Sequence, residues 1–282
     1  MQMTLTRNKT PILLLALVTA VASFIWYNAD AWYFLLGIVG AIFANSTGAG
    51  GGVVFIPAFT QAGLSEAQSV STSFGIQCFG MVAGSLSWLW YRHQLAPPAK
   101  SEWHAFLPSL TIATVAAVAG IWTNYGLELA APASLRLMFK TFSAVLGIGI
   151  ILTVILGSRS TRFTRLQWVD GVMLALLAWL GGIITGWLSV SAGEFVAFYL
   201  IARRYNIAMA IAIAVVLTAI TVWSVAPIHL GAGSPIAWEI LVYAAPGAIV
   251  GGFVARFLAT MLPPYGLKLF FGVWLLIIGF FG

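Results

Sequence analysis

Charge is what this sequence has least of. Only 7% of its 282 residues are Asp, Glu, Lys or Arg, while 61% are hydrophobic. A water-soluble domain needs roughly a quarter of its residues charged to cover its surface, so the scarcity excludes a soluble enzyme or binding module. A chain solvated by lipid must instead keep charge out of about 30 Å of hydrocarbon. The mean hydropathy of +1.00 fits that class, and the chain reads as a polytopic integral membrane protein.

Cysteine and histidine are nearly absent as well. Cys78 stands alone, which excludes an internal disulfide, and no neighbouring histidine suggests a metal. It reads as a small buried apolar residue. His93, His104 and His229 each fall near the end of an apolar run and read as interfacial polar residues, no two of them at ligand spacing. An intramembrane enzyme would need a nucleophile with a base, or a set of metal ligands. The spacing suggests neither a His-Glu-x-x-His pattern nor a serine with a histidine at comparable predicted depth, so no metal or cofactor is expected. The net charge of +6 comes from basic residues in short gaps between apolar runs. That is the pattern of topology anchors and contacts with lipid headgroups. No basic cluster is interleaved with aromatics as base stacking requires, so nucleic acid is not an expected partner.

What the sequence has in abundance is apolar runs of spanning length, about 20 residues each. They fall at 11–28, 67–91, 103–122, 137–156, 168–187, 207–229, 236–258 and 266–282. The first follows Arg7 and Lys9 and reads as a retained membrane helix with its positive end in the cytoplasm. A shorter run, 31–45, ends in Asn45-Ser46-Thr47-Gly48-Ala49-Gly50-Gly51-Gly52 and is followed by Val53 to Phe59. Each glycine costs about 1 kcal/mol of helix propensity relative to alanine, so the helix should break there. A second break is expected at Leu188-Ser189-Val190-Ser191-Ala192-Gly193-Glu194, before Phe195 to Ile201.

The two breaks correspond. An offset of 143 residues pairs Gly50 with Gly193, Ser46 with Ser189, Phe55 with Phe198 and Ala67 with Ala210. Farther on, an offset of 132 pairs Leu135 with Leu267, Phe139 with Phe271 and Gly147 with Gly279. The expected organisation is an N-terminal helix over 1–30, a first repeat over 31–156, a basic linker over 157–167 with Arg159, Arg162 and Arg165, and a second repeat over 168–282. The fold class is all-α, with about nine transmembrane helices in two homologous four-helix repeats plus the extra N-terminal helix. Each repeat carries a Gly-rich broken or re-entrant helix, and whether the repeats lie parallel or inverted depends on whether that segment crosses. With nine crossings, eight of the thirteen basic residues fall on the cytoplasmic side, Arg203, Arg204, Arg136 and Lys140 among them.

Lipid cannot satisfy the backbone of a broken helix, so protein or water must line it. The start of the helix after each break, at Val53 and Phe195, then offers free N–H groups and a positive dipole end to an anion. The competing reading is that the glycines only let helices approach closely, as Gly247 and Gly251 are expected to do. Candidate substrate contacts in the first half are Asn45, Ser46, Thr47, Gly48, Gly50, Gly51, Gly52, Ser71, Ser73 and Gln77. In the second half they are Ser189, Ser191 and Gly193, with Thr218 and Thr221 as further donors. For any one hydroxyl the alternative is a bond to its own helix backbone. Glu194 is a carboxylate at membrane depth, hence a functional candidate. It reads either as a proton-coupling group or as an N-terminal cap of the short helix. Arg136 and Lys140, at the start of a span, read as snorkelling anchors.

The stretch from Gly48-Ala49-Gly50-Gly51-Gly52 through Pro57 to Ala67 and Ser71-Thr72-Ser73 resembles the TauE/SafE sulfite exporter family, of the 4-toluene sulfonate uptake permease type. The likeness runs from about residue 31 to the end and is weaker in the second half, where Ser191-Ala192-Gly193-Glu194 replaces the glycine core. It implies a duplicated four-helix unit and secondary transport of a small anion such as sulfite or an organosulfonate. The expected setting is the bacterial cytoplasmic (inner) membrane, with lipid and the anion as partners and protons as the coupling ion. Alternatives are a channel-like path, a different small organic anion, or a structural scaffold with dry, packed breaks.

Overall fold

In a computed structural model the described residues are 30–156, 163–261 and 264–281. The expected N-terminal helix over 11–28 and residues 157–162 of the linker, with Arg159 and Arg162, lie outside them. All regular structure in the described residues is helical. The first half contains α1 (Trp32–Thr47), α2 (Gly52–Gln61), α3 (Glu66–Gln94), α4 (Pro97–Ser101), α5 (Phe106–Gly126) and α6 (Leu135–Leu156). The second contains α7 (Trp168–Leu188), α8 (Ala192–Ala202), α9 (Ile207–Ser224), α10 (Ala226–Leu230), α11 (Trp238–Met261) and α12 (Pro264–Phe281). Local sequence sets several boundaries. Ser65 and Gln68 form a reciprocal capping box at the start of α3, and Asn206 accepts from the Met209 N–H at the start of α9. The run expected over 207–229 divides at Val225, because Pro227 has no N–H to continue the helical ladder.

Among the described residues, five segments are long and apolar enough to cross a membrane: Ala99–Gly126, Leu135–Leu152, Trp168–Leu188, Ile207–Ser224 and Trp238–Met261. Helix α3 has 29 residues, roughly 43 Å at 1.5 Å per residue. It is less apolar because Ser69, Ser71, Ser73, Gln77 and Ser85 lie buried along it. The bundle has two chemically different ends. At one, the Ala105 N–H donates to the Thr164 carbonyl (2.9 Å), and Asn206 Nδ2 donates to Glu102 (2.6 Å). At the other, Trp187 Nε1 donates to the Leu129 carbonyl (2.9 Å), and the Ala237 N–H donates to Thr72 Oγ1 (3.0 Å). The first end gathers seven of the nine described Lys and Arg residues: Arg92, Lys100, Arg165, Arg203, Arg204, Arg256 and Lys268. The second gathers Asp30, Glu66, Glu128 and Glu239, with Arg136 and Lys140 the only described cations there. They are called the basic and acidic ends below.

The breaks turn the chain back. After α1 a left-handed turn at Gly48 (φ +83°) sends the chain in reverse, and the Phe55 ring of α2 lies against Gly40 of α1. After α7 the corresponding turn is Ser189 (φ +54°), and α8 runs back beside α7, so that Ala192 Cα would lie 3.0 Å from a Cβ on Gly181. At the base of this second hairpin Asp170, on the first turn of α7, accepts from Tyr199 (2.7 Å), Arg203 Nε (2.7 Å) and Tyr205 (2.5 Å). The α1–α2 hairpin thus starts and ends at the acidic end, and α7–α8 at the basic end. Neither adds a net crossing. This corrects the placement of basic residues expected for nine crossings: Arg136 and Lys140 sit at the opposite end from Arg203 and Arg204.

Two helix pairs run side by side in the same direction with backbones touching. Gly37, Gly247 and Gly251 join α1 to α11, where Gly247 faces the Phe34 backbone and Gly251 that of Ile38. Gly120 and Gly182 join α5 to α7 in the same way. Without water to drive apolar association, such close approach supplies the packing that holds membrane helices together. Gly182→Val and Gly247→Val should each cost about 1–3 kcal/mol through overpacking and lower the melting temperature in detergent. Gly126→Ala, where a Cβ meets nothing within 4 Å, should melt like the parent, and equal melting of all three would show that these contacts do not hold the bundle.

Candidate functional site

The two non-helical segments meet where the hairpin tips cross. Residues 48–51 and 189–191 pass each other in opposite directions, with Gly50 against Ser191 and Gly52 against Ser189. A Cβ on Gly50 would stand 2.6 Å from Ser191 N and 2.9 Å from Ser191 Cβ, so the crossing needs glycine there. The breaks are shorter than expected. Asn45, Ser46 and Thr47 remain in α1, α2 starts at Gly52 rather than Val53, and α8 starts at Ala192 rather than Phe195. Ser189 adopts the left-handed conformation that Gly48 supplies in the first half, which is how the second break manages with fewer glycines.

Each tip is held by side chains of the other half. Glu194 Oε1, on the first turn of α8, accepts the Gly50 N–H at 2.7 Å. Gln77 Oε1, in the middle third of α3, accepts the Gly51 N–H at 3.0 Å. Its Nε2 donates to the Ser189 carbonyl (2.9 Å), Ser189 Oγ (2.9 Å) and Ser73 Oγ (3.2 Å), while Ser189 Oγ donates to Ser73 Oγ (2.9 Å). Ser191 Oγ accepts the Gly193 N–H (2.8 Å) and pairs with Thr218 Oγ1, which also donates to the Ala214 carbonyl (2.6 Å). Two backbone N–H groups at the positive end of α2 are therefore occupied by side-chain oxygens, one of them a carboxylate. Glu194 is 3% exposed, and its Oε2 has no hydrogen-bond partner.

The structure thus brings Gly48, Gly50, Gly51, Gly52, Ser73, Gln77, Ser189, Ser191, Gly193 and Glu194 to one place, with Thr218 beside them. The others point elsewhere. Ser46 and Thr47 donate to the Phe43 carbonyl (3.2 and 2.7 Å), and Thr221 to that of Leu217 (2.9 Å), so these protons serve their own helices, while Thr47 Oγ1 also accepts the Ala49 N–H of the first break (3.2 Å). Asn45 Nδ2 donates to the Ala41 and Gly80 carbonyls (2.8 and 3.3 Å) and leaves Oδ1 unpartnered. Ser71 is two residues from Ser73, about 200° around the helix, and faces His229 Nδ1 at 3.1 Å.

At the crossing the two breaks pack against each other, as the scaffold alternative also expects. Beside Gly51 and Gln77 lies a void of about 10 Å³, with Phe55, Ile76, Met81 and Ala248 packed around it. Several buried polar groups escape the sequence reading, His229 and Asp170 among them. His229 is not interfacial: it is 5% exposed, stacks on Phe74 at 4.1 Å and shares a hydrogen bond with Tyr125 (2.8 Å). Asp170 carries the base of the second hairpin, and its signal was a lone carboxylate near the head of an apolar run. No group of three or more His, Cys, Asp or Glu side chains that could hold a metal occurs among the described residues. What the crossing can do chemically is bind a carboxylate or other small anion through backbone N–H groups in a dry setting.

Neither curated proteins nor solved structures yield a match to this chain. The family model described as "Sulfite exporter TauE/SafE" matches residues 33–281, from the second residue of α1 to the end of α12. The matched span includes both hairpins and every residue at the crossing, and with that coverage the chain belongs to the TauE/SafE sulfite exporter family of membrane transporters.

Proposed function

We propose that the protein is a proton-linked secondary transporter of small sulfur-containing anions, such as sulfite or organosulfonates, in the bacterial cytoplasmic membrane. One observation carries the reading: the N–H of Gly50, at the positive end of α2, is held by the carboxylate of Glu194 from the opposite hairpin. A helix N-terminus buried in a membrane bundle is an anion site, and here the carboxyl group of Glu194 already sits on it, tethered to α8. A substrate anion takes that place only when Glu194 lets go, and protonation weakens the carboxylate as an acceptor. The unpartnered Oε2 is where the proton arrives. A scaffold with no transport to perform would gain nothing from keeping that oxygen dry and unpaired.

The two halves, 31–156 and 168–282, act as inverted repeats that rock about the crossing, the arrangement by which many secondary transporters alternate access. The element order supports it. A hairpin with a short second arm, three longer helices and one short helix occur in each half, and the hairpins come from opposite ends. Cationic loops mark the cytoplasmic side, so the basic end faces the cytoplasm and the acidic end faces out. The packed crossing favours a carrier over an open channel, because Gly50 lies so close to Ser191 that a Cβ there would stand 2.6 Å from Ser191 N.

Two substitutions test this in proteoliposomes. A Cβ on Gly51 would meet the Phe55 ring at 2.6 Å and Gln77 Cγ at 3.0 Å, so Gly51→Val should abolish sulfite flux while membrane insertion persists. Flux at parental rate and matched protein level would leave Gly51 a packing role only. Glu194→Gln keeps the shape and mimics the protonated acid. It should still exchange sulfite across the bilayer but lose accumulation driven by an imposed pH gradient. If the Gln variant concentrates sulfite as the parent does, Glu194 is a helix cap and the coupling group lies elsewhere.

A further inference from the structure

Arg136 and Lys140 depart from the charge pattern of the molecule. They are the only described cations at the acidic end, where the rule that puts basic residues on the cytoplasmic side leaves them unexplained. Spaced i and i+4 on the first turns of α6, they lie on one helix face. That face lines a cavity of about 330 Å³, whose opposite wall is the C-terminal half of α2. Ile56, which also lines the cavity, is one helical turn from Gly52 at the crossing, about 6 Å along the axis. Thr60 and Gln61 add polar groups to the wall. Glu66 lines the cavity too, from the first turn of α3, where its carboxylate complements that helix's N-terminus. No ion pair of 4.0 Å or less joins it to Arg136 or Lys140; among the described residues the salt bridge found is Arg203–Asp170. Snorkelling anchors reach outward to headgroups, whereas these two cations share a cavity that leads toward the crossing. The same 132-residue offset places Lys268 at the position of α12 that corresponds to Arg136, at the basic end.

We infer that Arg136 and Lys140 form an outer anion-binding site, the mouth through which sulfite or a sulfonate passes between the crossing and the non-cytoplasmic side. Bound there, the anion's oxygens take N–H donors from the guanidinium and the ammonium, while the Thr60 hydroxyl stays on the Ile56 carbonyl of its own helix (2.9 Å). Full charges suit a mouth better than the crossing itself. They raise the local concentration of anions, while the neutral N–H groups deeper in release their ligand. The inference rests on the reading of the chain as an anion transporter, and its test is independent of turnover.

Cys78 is 1% exposed and is the sole cysteine, so Gln61→Cys puts one reactive thiol on the cavity wall of the full chain. Its labelling from outside would be followed with a sulfonate-bearing methanethiosulfonate and with the trimethylammonium analogue. Two nearby cations should favour the anionic reagent by about tenfold in low salt. Adding Arg136→Gln and Lys140→Gln should remove the preference, Arg136→Lys with Lys140→Arg should retain it, and an organosulfonate such as 4-toluenesulfonate, which does not react with the reagent, should slow labelling of the Gln61→Cys chain. Equal rates for both reagents, a preference for the cation, or a preference that survives the double Gln change overturns the site. An unchanged rate with a neutral methanethiosulfonate shows that the double variant is folded. Charge-dependent labelling without sulfite flux would refute the transport reading and leave the mouth standing; normal flux with charge-blind labelling would do the reverse.

Discussion

A polypeptide in hydrocarbon must satisfy every backbone polar group from within the protein, and the structure depends on how it does so at two points where its helices stop. The α2 N-terminus cannot be left to lipid, so Glu194 and Gln77 accept the Gly50 and Gly51 N–H groups. Ser191 does the same for Gly193 at the start of α8. Because the first two acceptors reach the tip from outside its own hairpin, satisfying the backbone also clamps the hairpins together. Close approach at Gly50 is the geometric condition for the clamp, and a larger residue would separate the strands that it joins.

The clamp is chemically lopsided. At the offset of 143, Glu194 corresponds to Gly51, so one tip contributes a carboxylate and the other only a backbone. An equal pair of tips would bind an anion without sensing protons. In the proposed function, an unequal pair lets one ionisable group compete with the substrate for the same N–H, so that a single site answers to two ligands. The basic and acidic ends give the path a direction of charge. Against that gradient, the Arg136 and Lys140 cavity stands as a local reversal at the acidic end.

Much of this is legible in the sequence because it follows from composition and spacing. The dense glycines at 48–52 break a helix wherever they occur, and the offset between the breaks is visible without coordinates. What is not legible depends on three-dimensional return paths. Residue counts cannot tell a helix that continues through a break from one that doubles back, so the hairpins, and with them the sidedness of Arg203 and Arg136, emerge only from contacts such as Asp170 with Arg203. Ser189 hides its left-handed turn because serine seldom takes that conformation. Ser71 and Ser73 look alike in sequence, yet helical rotation gives one to His229 and the other to Gln77. The closed state of the crossing is likewise a packing outcome, set by Phe55, Met81 and Ala248, which no spacing rule foretells.

The central claim is that substrate and Glu194 share one backbone donor. A structure of the protein in lipid nanodiscs, saturated with sulfite at acidic pH, tests it directly. The account predicts an oxyanion on the Gly50 N–H, with the Glu194 carboxyl swung away from its present 2.7 Å contact. Sulfite bound elsewhere in the bundle, with the Glu194–Gly50 hydrogen bond intact, would contradict it.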